Sequence, residues 1–502
     1  MNQLQGGFPL VSALLLWPLV VAAVLLPVKR MRWVRRVALA GALVELATST
    51  WIFLRVASAP GPGFQFRERI PWIDAIGASV HVGVDGLSAP FLPLTALLTV
   101  IAVIQTRTLV AHRQKAYLVA ILTLSAASAG IFTALDLVLF FVFWELMLVP
   151  TFMLIKVWGT GAERSHAATK YVLAMLSGSV ALLAALVLLA VNHARQEGAL
   201  TFDYLELLGT PLPSGLGTVV FFLMVFAFSL KAPLFPLHSW LPPVLQNGPV
   251  GAAMLLGGLK VGAYAFLRMI VPLLPGPFVQ WRWLIATLAV AAILYGGLAA
   301  LVQPDLRRLI ALAGVSHVGV ALLGLSTGTE EGISGALFLL ISMGFTSAGL
   351  LLLAGFIHQR LGVTDVGALG GLAARAPALT AFALFLGFAE AALPGTSGFP
   401  GEFLALLGAF RAYGVPALAA VAVVVLAAGY ILVWLQRAFY GPVRDPVVGR
   451  MLDLGRRESL IALAVALPIL TLGLAPSLLL DAAGPAVAGL VDRLAGVVVA
   501  SP

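Results

Sequence analysis

The chain has 502 residues, 61% of them hydrophobic and only 10% charged, with a net charge of +9. That leaves too little polar surface to cover a soluble globular domain, and apolar runs of about 20 residues recur along the whole length, each able to cross roughly 30 Å of hydrocarbon as a helix. With no cysteine, disulfides, thiolate-ligated iron–sulfur clusters and cysteine zinc sites are excluded within the chain, and no G-x-G-x-x-G or G-x-x-x-x-G-K-[ST] fingerprint argues for a nucleotide site.

No alternating strand pattern competes with the long runs, so the expected fold class is all-α, a polytopic membrane protein. In chain order the runs 9–28, 33–55, 88–106, 116–134, 136–157, 168–192, 217–240, 249–272, 281–302, 305–326, 330–357, 376–411, 416–440 and 459–481 give about fourteen spans. The run 376–411 is too long for one straight helix and contains "LPGTSGFPGEF", so a break is expected there. Nothing is left over for a sizeable soluble domain.

The basic residues follow the connections. Lys29, Arg30, Arg32, Arg35 and Arg36 follow the first span, Arg107, Arg113 and Lys115 the third, and Arg164 the fifth. Arg307 and Arg308 follow the ninth, Arg360 and Arg375 the eleventh, and Arg437, Arg444, Arg450, Arg456 and Arg457 the thirteenth. Connections after even-numbered spans are poorer in these residues and carry acids such as Asp203, Glu206, Glu330 and Glu331. The positive-inside rule then places both termini outside. Basicity so distributed reports topology and gives no reason to expect nucleic acid. The basic block after the first span, behind an uncharged N-terminus, reads as an uncleaved helix and not a secretory signal.

Ionisable residues inside the runs are the informative exceptions, because a charge at the bilayer centre costs about 2.5–3.5 kcal/mol even on the most lenient scale. Of six lysines, four lie near span ends where they can snorkel, but Lys231 and Lys260 lie near the middle of theirs. A buried lysine can lose its proton near neutrality, which arginine cannot. Glu145, in "FFVFWELMLVPTF", has only apolar and aromatic neighbours and is expected to face the bundle interior and pair with Lys231. His317 in "LAGVSHVGVALL" and Glu402 in "SGFPGEFLALL" complete a set of five groups, the complement a proton path needs.

Two breaks lie beside these charges. "KAPLFPLHSWLPP" places Pro233, Pro236, Pro242 and Pro243 after Lys231, and "ALPGTSGFPGEF" places Pro394, Gly395, Gly398, Pro400 and Gly401 before Glu402. Broken backbone at membrane depth must face protein or a watery cavity, and two such breaks in corresponding parts of the two halves mark an internally repeated transporter.

"FFVFWELMLVP", "FSLKAPLFPLHSWLP", "LKVGAYAFLR", "DLRRLIALAGVSHVG", "LPGTSGFPGEFLALLGAF" and the early "GVDGLSAP" together resemble the antiporter-like membrane subunits of respiratory complex I, and among them the M type of the bacterial enzyme. The resemblance implies two inverted five-helix repeats, spans 4–8 and 9–13, with the seventh and twelfth broken. It thus divides the chain into residues 1–115, 116–272, 281–440 and 441–502. By position it makes Glu145 and Lys231 the family's paired acid and lysine, Lys260 its central lysine, His317 its bridging histidine and Glu402 its terminal acid; glutamate at that last place favours the M type. His238, Glu390 and Ser316 are accessory candidates, Glu390 being an acid the family pattern does not call for. The chain departs from the pattern in "LPPVLQNGP", with Pro243 and Leu245, and at Met343, where a histidine is common; water, Ser342 and Thr346 are the expected substitutes.

The function so implied is redox-driven proton translocation in a bacterial inner membrane, with both termini periplasmic. No cofactor is expected in this chain, while FMN, iron–sulfur clusters and quinone belong to partner subunits. The implied partners are the L- and N-type siblings, the lateral helix of the L type, the remaining subunits and membrane lipids. A subunit of a multisubunit sodium/proton antiporter, an energy-converting hydrogenase subunit and a passive membrane scaffold are the alternatives.

Overall fold

The computed structural model describes residues 9–443 and 448–500; Arg444, counted above among the basic residues, lies outside them. Among the described residues twelve helices are long and apolar enough to cross a membrane, and two shorter apolar ones, Leu10–Leu25 and Pro377–Glu390, stand at the first and twelfth places. Each expected span therefore has its helix. The centre of the molecule is the eighth, tenth and eleventh spans, Val250–Leu273, Leu306–Ser326 and Glu330–Leu361, whose apolar stretches are almost wholly buried. All three are rich in glycine and alanine, which let helices approach closely without relying on a hydrophobic force that lipid cannot supply.

Both expected breaks occur. The seventh span is helical over Ser214–Lys231 and resumes only at Leu241–Asn247; the twelfth is helical over Pro377–Glu390 and resumes at Gly398–Tyr413. Two further interruptions were not expected. The fifth span divides into Leu137–Leu146 and Leu148–Trp158, where Pro150 has no amide to offer the carbonyl of Leu146, and the eighth stops at Gly258 and restarts at Val261.

An internal correspondence is visible in the connections. An isolated antiparallel bridge joins Asp136, the N-cap of the fifth span, to Asp203, just past the sixth; another joins Asp305, the N-cap of the tenth, to Asp365, just past the eleventh. The two bridges are thus five spans apart.

A short antiparallel hairpin, Gln65–Ile73 with Ala78–Val84, adds strand to a chain read as wholly helical. Its sequence, "QFRERIPWI" then "ASVHVGV", lacks a clean alternation, and tertiary contacts hold it. His81 Nδ1 lies 2.6 Å from Asp203, Arg69 pairs with Asp203 and Glu206 at 3.5 and 3.0 Å, and the Ser79 amide donates to Asp136 at 2.8 Å. Burial alone would raise the Asp203 carboxyl, but the His81 ring and Arg69 outweigh it and hold it below the usual range. The Glu68 carboxylate accepts from the amides of Val11 and Ser12 at 2.7 and 2.9 Å, capping the first helix, whose own N-cap, Pro9, supplies no side chain. Glu68→Ala is expected to cost about 1–2 kcal/mol of local stability, read as faster proteolysis or amide exchange across Leu10–Leu25 in the detergent-solubilised protein.

Past the fourteenth span, Arg456–Leu474, Pro476 ends one helix and a further one runs over Ser477–Ala500. Leu479, Ala483, Ala486, Val487, Leu490 and Leu494 recur at helical spacing and are buried, so this segment docks on the body of the protein.

Candidate functional site

Glu145 lies just before the interruption of the fifth span. Ser179 of the sixth span, Arg164–Glu197, donates its hydroxyl to Glu145 Oε1. Lys231 is the last residue before the break of the seventh span, and its ammonium donates to the Trp144 carbonyl at 3.1 Å while standing 3.9 Å from the centroid of the Trp144 ring. The expected direct Glu145–Lys231 ion pair is absent among the described residues, as no nitrogen–oxygen distance between them falls within 4.0 Å. The lysine is instead satisfied one residue earlier, by a backbone oxygen and an aromatic face, with the Glu145 charge acting on it from farther away. Neither group is fully buried: Glu145 shares its helix face with Val142, Val149 and Met153, all exposed.

From this pair the chain turns inward. Gly262 of the eighth span packs so closely on the seventh that any side chain there would collide with the Lys231–Ala232 peptide. Two residues earlier, Lys260 caps the restarted helix, and its ammonium donates to the Gly257 carbonyl, which the interruption at Gly258 leaves without its helical partner. Lys260 is only 6% exposed. Its nitrogen lies 3.5 Å from where a Cβ on Gly314 would stand, and nothing else comes within 4 Å of that point. Gly314 precedes His317 by about one helical turn, which puts the Lys260 ammonium against the tenth span one turn from the imidazole.

His317 is the hub of the second half. Its Nε2 stands 2.9 Å from Glu402 Oε1, and its Nδ1 lies 3.1 Å from the Ala313 carbonyl and 3.4 Å from Glu390 Oε1. The Glu402 contact has ion-pair distance without good hydrogen-bond alignment, leaving that oxygen free to accept from another donor. All three side chains are buried. A cavity of about 10 Å³, lined by these three with Ser342, Met343 and Thr346, is close to the space one water needs. The Thr346 hydroxyl is buried and unpartnered, while Ser342 bonds to Ser397 at 2.7 Å in the break of the twelfth span. Met343 thus leaves a polar pocket where a histidine ring was missed.

Glu390 is therefore buried beside the imidazole. It occupies in the twelfth span the place Lys231 occupies in the seventh, the last residue of the first half-helix, and the Tyr430 hydroxyl points at it from 3.5 Å. The other accessory candidates stand apart. Ser316 donates to the Ile293 carbonyl at 2.9 Å, bracing the ninth span, Pro275–Leu301, against the tenth, and His238 packs in a three-ring cluster with Phe235 and Tyr295 with Nδ1 unpartnered. One intramembrane acid was overlooked. Glu45, mid-way along the second span, Met31–Ser58, is 2% exposed and accepts from Ser125 at 2.7 Å. The criterion that singled out Glu145, a carboxylate in an apolar run, applies equally to "GALVELATS".

Residues 134–428, which hold Glu145, Lys231, Lys260, His317, Glu390 and Glu402 but not Glu45, match the family model for the membrane-spanning part of NADH:quinone oxidoreductase and Mrp antiporter subunits. The chain belongs to this family. It is 35% identical to NADH-quinone oxidoreductase subunit M of Pseudomonas aeruginosa over 466 residues, 90% of each chain. Its fold superimposes on a chain of respiratory complex I from Thermus thermophilus with a TM-score of 0.88 at 35% identity, covering 96% of this chain and 99% of that one. It also matches a chain of the Mrp complex from Dietzia with a TM-score of 0.86 at 25% identity, covering 98% and 99%. The resemblance to antiporter-like complex I subunits of the M type, drawn from the motifs, is borne out, as is the polytopic helical fold.

Proposed function

We propose that this chain carries protons across the membrane as the M-type subunit of an NADH:quinone oxidoreductase, through Glu145, Lys231, Lys260, His317 and Glu402. The observation that carries the reading is the buried His317 set between two carboxylates, with room for water beside these three and the Lys260 ammonium against Gly314, one helical turn before His317. A static packing role would leave five costly groups unexplained, since a single ion pair could fix helix register more cheaply.

In this reading the driving event lies at Glu145 and Lys231. A carboxylate and an ammonium only partly buried at span depth cannot face lipid, so the surface around Val142, Val149 and Met153 is where a neighbouring antiporter-like subunit sits. Movement of charge in that neighbour changes the attraction between Glu145 and Lys231. A change at Lys231 passes to Lys260 through the Gly262 contact and the Coulomb field, and the proton moves on to His317. Glu402 and Glu390 then share it with His317. Two carboxylates on one imidazole let the proton leave toward either, which supports a relay and gives Glu390 a part in it.

The recurrence of the aspartate bridge after five spans and the paired breaks support two five-helix repeats, 116–272 and 281–440, related by inversion. A cavity of about 470 Å³ opens where connections of both halves meet, lined by Asn247, Gln303, Asp305, Arg307 and His358, and offers a watery mouth on the basic, cytoplasmic side. Both termini then face the periplasm, and FMN, iron–sulfur clusters and quinone reside in partner subunits, the L- and N-type siblings among them. Higher identity to complex I chains than to the Mrp chain favours this over sodium/proton antiport.

Purification of the tagged chain from its own membranes tests the assignment: flavin and iron–sulfur subunits are expected with it, and recovery with only other antiporter subunits would overturn it. Glu390→Gln is expected to slow proton translocation up to about tenfold with assembly intact, measured as acidification of inverted vesicles. A native rate would remove Glu390 from the relay.

A further inference from the structure

Apart from the proposed relay, five arginines, Arg32, Arg35, Arg36, Arg107 and Arg457, line a cavity of about 530 Å³ with Leu39, Val103 and Ile104. The arginines come from three helices but from one level. Arg32, Arg35 and Arg36 occupy the first turns of the second span, Arg107 the last turn of the third, Phe91–Leu109, and Arg457 the first turn of the fourteenth. Leu39, Val103 and Ile104 lie about one turn deeper along the same helices. The cavity therefore runs from cationic at the membrane surface to apolar inside, across the depth over which a glycerophospholipid runs from phosphate to acyl chain.

No carboxylate lines it. The partners that fix the guanidiniums are neutral: Arg35 donates twice to Gln114, at 3.0 and 2.6 Å, and Arg457 donates to Gln105 and Thr108 at 2.8 and 2.7 Å. Arg36 stacks over Trp33. The neighbouring acid, Glu458, is already committed to Arg360 at 2.5 Å. Five like charges gathered at the edge of a low-dielectric region repel one another, and Gln and Thr hold the forks in place without cancelling any of that charge. A phosphodiester presents the planar, bidentate acceptors that guanidinium forks match, and basic pockets between helices on a membrane's basic side suit anionic headgroups.

We infer that this cavity is a binding site for an anionic glycerophospholipid, its phosphate held by Arg32, Arg36, Arg107 and the braced Arg35 and Arg457, and one acyl chain lying on Leu39, Val103 and Ile104. The site ties the second and third spans, outside both repeats, to the fourteenth, and bound lipid neutralises a repulsion that otherwise pushes these helices apart. None of these residues belongs to the relay, so the inference stands apart from the proposed function.

The test uses the intact complex, delipidated in detergent and exposed to phosphatidylglycerol or phosphatidylcholine micelles, with bound lipid counted by native mass spectrometry. The native complex is expected to retain phosphatidylglycerol and not phosphatidylcholine. Arg36→Gln with Arg107→Gln should weaken that retention roughly tenfold or more, and Arg36→Lys with Arg107→Lys should keep most of it. Excess inorganic phosphate should fail to displace the lipid, because the apolar wall contributes to holding it. Equal retention by the glutamine pair, or ready displacement by phosphate as at a free anion site, would overturn the inference. So would a native complex that binds no lipid because carboxylates of a neighbouring subunit fill the cavity.

Discussion

Glu402→Gln is expected to abolish proton translocation while the complex still assembles. The substitution is nearly isosteric, and Glu402 is packed behind His317 at 4% exposure, so the helix has no steric reason to move. What disappears is the ability to take and release a proton beside the imidazole. A positioned acid or base contributes about 10²–10⁴-fold to proton transfer, so turnover coupled to pumping should fall by at least about a hundredfold. Glu390 cannot fully substitute, since it meets the opposite ring nitrogen, Nδ1, at the longer distance of 3.4 Å. Glu402→Asp shortens the reach by one methylene and should retain partial pumping through water in the adjoining cavity. Proton uptake by inverted vesicles, set against the level of assembled complex in the same membranes, gives the answer.

Lys231→Met should have an effect of similar size by another route. The ammonium is held by the Trp144 carbonyl and ring and lies in the field of Glu145. Methionine fills the volume, removes the charge and leaves Glu145 with only the Ser179 hydroxyl. A change in the neighbouring subunit then has no charge at residue 231 to act on, and nothing passes to Lys260. Pumping and coupled quinone reduction should both collapse, whereas electron transfer from NADH to an artificial acceptor, which bypasses the membrane arm, should persist. Glu145→Gln should reproduce the defect. Full pumping in either variant would remove the pair from the mechanism.

The spans were legible because a membrane helix must be apolar over about 20 residues, and the run lengths state this directly. The breaks in the seventh and twelfth spans were legible because proline and glycine cluster there. The break at Lys260 was not, because Gly257–Gly258 only lowers helix propensity, and the close approach of Gly262 to the seventh span is made by residues about thirty apart in sequence. Lys231 could be singled out from its sequence, yet its partner could not: whether a lysine meets the carboxylate of residue 145 or the carbonyl of residue 144 depends on how the interrupted fifth helix turns. The hairpin escaped notice because Glu68, Arg69 and His81 are held by residues distant in sequence. Glu390 was seen as an anomaly, and only its approach to His317 within a shared water-sized cavity gave it a place.

The claim that proton conduction runs through a buried line of side chains rests most heavily on Lys260, where the two halves meet. The decisive measurement is the proton-to-electron ratio of inverted vesicles oxidising NADH, native against Lys260→Met, at matched levels of assembled complex. The account predicts a ratio lowered by this subunit's whole share, or coupled turnover lost altogether. A variant that oxidises NADH with quinone at the native rate and moves the native number of protons would contradict it.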